Sequence, residues 1–217
     1  MRRGAVDPGP WPRRGVRPTY DAPMAGMVGH PDVAGAPPTS ARTGLLLGFG
    51  LGAAIAVAFG AYARVHDPTG ESVVVLFFSG QIQLKAWFAT VAVALALVQV
   101  GSALWLYGKL GGPAPAWLGD AHRLAGTLAF LFSLPVAYHC LWSLGYTADP
   151  TLDRVFVHSV AGCLFYGAFV SKVLVVRSSG LPGWALPVAG GAVFATLVVI
   201  WLTSSFWFFT TFDGPKL

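Results

Sequence analysis

The sequence predicts an all-α protein: an integral membrane bundle of five transmembrane helices, with the N-terminus inside and the C-terminus outside. Hydrophobic residues make up 55% of the chain and charged residues only 11%, at a mean hydropathy of +0.64, whereas an ordinary soluble domain carries about 25% charged residues. Five runs free of charge approach or exceed the roughly 20 residues that cross hydrocarbon. The cations between the runs fall unevenly on the two sides. Ten of the fourteen lie on one face: Arg2, Arg3, Arg13, Arg14, Arg17 and Arg42 before the first run, Lys109 and Arg123 between the second and third, Lys172 and Arg177 between the fourth and fifth. Only Arg64, Lys85, Arg154 and Lys216 fall on the other, so the positive-inside rule sets the orientation.

Residues 1–42 are rich in Pro, Gly and Arg and have no apolar period, which predicts a disordered cytoplasmic tail. Residues 43–212 form the transmembrane domain and 213–217 a short extracytoplasmic tail. The first span, Thr43 to Ala63, carries small residues at every fourth position: Gly44, Gly48, Gly52, Ala56 and Gly60. Such a stripe lets two helix backbones approach closely. Ala61-Tyr62-Ala63 has the pattern of a signal-peptide cleavage site, but the segment before the run is long for a signal peptide and the stripe suits a permanent packed helix.

The second span runs from Ala86 to Gly108. Before it, Ser72 to Phe78 is apolar but too short to cross, and is expected on the bundle or in the interface. The same loop holds His66, Asp67 and Glu71, whose types suit a metal but whose spacing matches no motif, so an ordinary solvated loop is expected. The third span is Leu124 to Tyr146 and the fourth Val155 to Ser171, the shortest, which reaches full length if Lys172 snorkels to the headgroups. The fifth run, Ser178 to Phe212, is longer than required and is expected to begin near Ala185, after the Leu181-Pro182-Gly183 turn. Trp201, Phe206, Trp207, Phe208 and Phe209 near its end suit an aromatic belt.

The charge pattern is thus accounted for by a lipid bilayer, with no basic helix or RNA-binding motif to indicate nucleic acid. Cys140 and Cys163 stand at different depths, which disfavours a disulfide, and no Cys-x-x-Cys-His or zinc-type spacing occurs.

The chemistry rests on histidine. Taking the third span to leave the membrane near Gly145 and the fourth to enter near Asp153, His139 and His158 both lie about 8 Å inside the same face. Two imidazoles at one depth are suited to clamp a haem iron as a metal-ligand pair, and Gly162, one turn after His158, would let a flat macrocycle approach. At the other face His122, Arg123 and Lys172 are candidates to hold a haem propionate or a quinone head. The stretch His122-Arg-Leu-Ala-Gly-Thr-Leu also matches His158-Ser-Val-Ala-Gly-Cys-Leu at four of seven positions.

Four segments, His122 to Gly126, Pro135 to Cys140, His158-Ser159-x-x-Gly162 and Phe165 to Lys172, resemble an uncharacterised family of actinobacterial multi-pass membrane proteins over roughly residues 43–210. That resemblance implies a multi-pass protein of the cell membrane and carries no activity. More loosely, the bundle is similar to the haem b membrane cytochromes of the ascorbate-reducible and ferric-reductase types. Its His-Arg-x-x-Gly element is similar to one in the cytochrome anchor subunit of succinate dehydrogenase. These likenesses imply a haem protein, although those diheme cytochromes use two histidine pairs where this chain offers one.

The expectation is a cytochrome-like protein holding one b-type haem near the outer leaflet and passing electrons between a quinol or membrane redox partner and an extracytoplasmic acceptor. No flavin or nicotinamide site is present in the sequence to supply electrons. Two alternatives stay open: a cofactor-free membrane subunit or assembly factor, in which the histidines bond Ser, Thr or backbone carbonyls, and a small transporter with Gln99, His139, His158 and Lys172 along a proton path.

Overall fold

The computed structural model describes residues 41–146, 151 and 153–217. Five helices are long and apolar enough to cross a membrane: Ala41–Val65, Gln81–Leu106, Leu118–Leu144, Asp153–Arg177 and Ala185–Thr211. The chain is a multi-pass membrane protein, and no strand occurs among the described residues. The expected disordered tail lies outside the described residues, except that Ala41 and Arg42, assigned to it, open the first helix.

We number the helices α1 (Ala41–Val65), α2 (Gln81–Leu106), α3 (Leu118–Tyr138), α4 (Asp153–Arg177), α5 (Ala185–Trp201) and α6 (Trp207–Thr211). The third span continues beyond α3 as a π-helical segment, His139–Leu144, and a second such segment, Leu202–Phe206, joins α5 to α6. Both interruptions have local causes. Pro135 has no N–H to give the carbonyl one turn before it, and the wider helix begins one turn later. In the fifth span Thr203 and Ser204 turn their hydroxyls back to the Val199 and Ile200 carbonyls, at 2.7 and 2.6 Å, which loosens the regular ladder.

The helices extend beyond the charge-free runs read from the sequence, while the fifth begins where it was expected. Charged and polar ends are helical too: α3 starts at Leu118, placing His122 and Arg123 inside it, and α4 runs through Lys172 to Arg177. The fifth span starts at Ala185.

Packing joins α1 to α4, α2 to α3 and α4 to α5, with a lesser contact between α2 and α5. The small-residue stripe of α1 lies along α4. A side chain added at Gly52 would meet the Gly167 carbonyl oxygen at 2.5 Å, and one added at Gly167 would meet that of Gly52 at the same distance, so the two backbones touch there. In the middle of the bundle Ala92 and Ala96 of α2 meet Ala161 and Phe165 of α4 and Leu197 and Ile200 of α5. The exterior is apolar, as a bilayer requires: Leu46 and Val57 are 75% and 70% exposed.

The backbones of α3 and α4 make little direct contact. The connection between α1 and α2 is tied to the π segment of the third span. Thr69 and Gly70 donate to the Trp142 and Ser143 carbonyls at 3.2 and 2.9 Å, and Ser143 Oγ donates to the Glu71 carbonyl at 2.6 Å. The C-terminal residues return to α2, where Gln83 and Trp87 donate to the Pro215 and Lys216 carbonyls.

Candidate functional site

A cavity of about 290 Å³ lies between α3 and α4 and is lined by all five spans. Its walls are largely apolar, with small residues, Ala86, Ala89 and Ala92 from α2, Ala137 from α3 and Gly162 from α4, set among larger ones such as Phe59, Phe165 and Ile200. A side chain added at Gly162 would meet nothing within 4 Å, so that wall stands clear of its neighbours. At one end are Lys85 and Arg154, each within the first turns of its helix, and at the other Tyr166 donates to the Ser133 carbonyl at 3.0 Å. Arg154 is held by a bond to the Thr203 carbonyl at 2.6 Å and lies 4.0 Å over the Trp207 ring.

His158 faces this cavity and its tautomer follows from its neighbours. Thr203 Oγ1 has one proton, directed to the Val199 carbonyl at 2.7 Å, so it accepts from His158 Nδ1 at 3.1 Å. The proton of the imidazole is therefore on Nδ1, and Nε2 presents a lone pair. Opposite it, at 3.7 Å, is the Cys140 thiol from the third span.

His139 has the same tautomer but another direction. Its Nδ1 donates to the Pro135 carbonyl at 2.8 Å, and the side chain is fully buried with Nε2 unpartnered. It does not line the cavity; Val136, Ala137, Cys140 and Leu141 do. The residue that meets His158 is not His139 but its neighbour Cys140. The physical reason is azimuth: consecutive residues on a helix diverge by about 100°, and the wall facing α4 is formed by the Cys140 side of the span.

At the far end of the bundle the structure unites two of the three remaining candidates. Lys172 donates to Gln99 Oε1 at 3.3 Å, Gln99 Nε2 donates to the His122 carbonyl, and His122 Nδ1 lies 2.8 Å from Ser102 Oγ. Ser102 directs its proton to the Val98 carbonyl, so His122 also carries its proton on Nδ1. Arg123 takes no part: it is exposed and pairs with Asp120 one turn earlier. Lys172 stands fourteen residues after His158 on α4, about 21 Å along the axis, so this cluster and the cavity are separate places. The matching heptapeptides have a shared consequence: each leading histidine bonds a hydroxyl of a different span, Ser102 for His122 and Thr203 for His158.

His66, a candidate in the connection between α1 and α2, stacks between Tyr62 and Trp142 at 5.2 and 4.5 Å and bonds the Trp142 carbonyl. Among the described residues no three His, Cys, Asp or Glu side chains gather as a metal site, and Cys140 and Cys163 are free thiols.

Sequence reasoning missed Cys140, Thr203, Lys85 and Arg154 as parts of one site. The two cations were visible only as topology signals, and a threonine in an apolar run gives no sign of which helix it will face.

No curated protein and no solved structure matches the chain. Residues 45–216 match a family of unknown function, DUF6529. That match takes in almost the whole membrane domain described above, and the chain belongs to this family.

Proposed function

We propose that this chain is a cytochrome-like electron carrier of the cell membrane, holding one b-type haem in the cavity with His158 as an axial ligand. The observation that carries this reading is the lone pair of His158 Nε2, aimed into an apolar cavity whose end carries two cations. A histidine ligand needs its other nitrogen held by a hydrogen bond, and Thr203 supplies that bond. Lys85 and Arg154 suit the two propionates of a haem. The bound group would supply one-electron transfer, while the apolar walls bear on the potential. In the orientation expected from the cations, the end of the site with Lys85 and Arg154 faces outward, and electrons pass between a quinol or membrane redox partner and an extracytoplasmic acceptor.

A second reading, a cofactor-free subunit, is favoured by one fact: His122, His139 and His158 each bond a Ser, Thr or backbone oxygen through Nδ1. Those bonds satisfy a structural histidine as well as a ligand.

Purification in mild detergent from haem-replete cells, with visible spectra before and after dithionite, separates the two. A reduced b-type α-band, absent in His158→Ala and weakened in Lys85→Ala/Arg154→Ala, is expected. A folded, colourless preparation overturns the haem reading in favour of the second.

A further inference from the structure

The relation between Cys140 and His158 goes beyond the histidine pair. The two side chains come from spans whose backbones stand apart, yet the thiol and the imidazole Nε2 meet at 3.7 Å across the cavity. Both residues line it, and both are partly buried. Resting on the haem reading, we propose that the sixth position of the iron is filled by the Cys140 thiolate, giving histidine–thiolate ligation in place of a pair of imidazoles.

Metal bonds of about 2.0 Å to nitrogen and about 2.3 Å to sulfur set such donors about 4.3 Å apart, slightly more than the present 3.7 Å separation. The side chains are therefore near the spacing that iron between them requires, and side-chain rotation supplies the remainder. Two further features suit the thiolate. Lys85 lines the same cavity as Cys140 and brings a cation to it, the kind of neighbour that suits a thiolate. In addition, the described part of the third and fourth spans offers no other thiol or imidazole facing His158: Cys163 is on the same helix as His158, and His139 lies outside the cavity lining. Ligation forms an iron–sulfur bond and breaks the S–H bond, with the proton leaving to bulk water. The iron keeps its oxidation state in that step. A thiolate donates more charge than an imidazole, so the ferric form is favoured and the reduction potential is low.

The test uses the full chain purified with its haem. Ferric electron paramagnetic resonance and the ferrous carbon monoxide spectrum are recorded for the parent protein and for Cys140→Ser, Cys140→His and His139→Gln. The expected parent has a thiolate signature, with the carbon monoxide Soret band far to the red of an imidazole-ligated haem. That signature is lost in Cys140→Ser with haem retained, becomes an ordinary bis-imidazole spectrum in Cys140→His, and persists in His139→Gln. Gel-filtration profiles identify any variant that has not folded, and Cys140→His then serves in place of Cys140→Ser. In a Cys163→Ser background, haem is also expected to protect Cys140 from maleimide. A bis-imidazole parent spectrum that Cys140→Ser leaves unchanged and His139→Gln abolishes overturns thiolate ligation while leaving the haem reading intact. A colourless protein removes both.

Discussion

His158 Nδ1 lies 3.1 Å from Thr203 Oγ1, and the direction of that bond is fixed because the threonine hydroxyl is already committed to the Val199 carbonyl. One residue on the fifth span thus decides which nitrogen of an imidazole on the fourth is free to bind. Thr203→Val keeps the shape of the side chain and removes the acceptor. We expect haem affinity to fall about 10–100-fold, the usual effect of losing such a supporting bond, measured by haem titration into the stripped protein. Unchanged affinity would show that His158 is not a ligand.

The contact between α1 and α4 predicts a second outcome. A leucine at Gly52 must displace the Gly167 carbonyl or the Ser171 side chain, and overpacking of this kind costs about 1–3 kcal/mol or more. Gly52→Leu is expected to lower the thermal unfolding temperature in detergent. Gly101→Ala, where an added side chain meets nothing within 4 Å, is expected to leave it unchanged or raise it slightly.

Gln99 holds three spans together at the far end of the bundle, through His122 and Lys172. Gln99→Leu leaves the Lys172 ammonium without its partner, at an expected cost of about 1–3 kcal/mol. Because this cluster is distant from the cavity, the haem spectrum of the variant should match that of the parent. Stability and colour should therefore respond independently, by thermal unfolding and absorbance on one sample.

Orientation is tested by labelling. In a background lacking Cys140 and Cys163, Glu71→Cys is expected to react with a membrane-impermeant maleimide added to intact cells, and Lys109→Cys only after lysis. The reverse pattern would turn the bundle over and place the Lys85 and Arg154 end of the cavity at the cytoplasm.

How far the sequence could be read depends on what kind of information each feature needs. Hydropathy fixed the number of spans, and the start of the fifth at Ala185 followed from the Leu181-Pro182-Gly183 turn. The stripe from Gly44 to Gly60 signalled a close helix contact, although only the fold shows that α4 provides it. Counting residues along the spans also brought the right neighbourhoods together: His158 meets the residue next to His139, and His122 and Lys172 share Gln99. Direction was not legible. The side of the third span that meets α4 depends on how α2 and α3 pair, and a regular wheel fails beyond His139, where the π segment changes the turn. Hence Cys140 rather than His139 faces His158. Likewise Arg123, adjacent to His122 in sequence, points outward to Asp120, while Gln99 from another span completes the cluster.

The lack of close packing between α3 and α4 gives the molecule a seam. On one side stands a plate of α2 and α3, on the other a plate of α1, α4 and α5; the plates touch where α2 meets α5, and across the seam between α3 and α4 side chains such as Cys140 and His158 reach one another. Whatever fills that space would act as a keystone, adding its own contacts to both plates and stiffening their mutual angle. Occupancy and rigidity would then rise together, so a partner touching both plates from outside could sense whether the interior is filled.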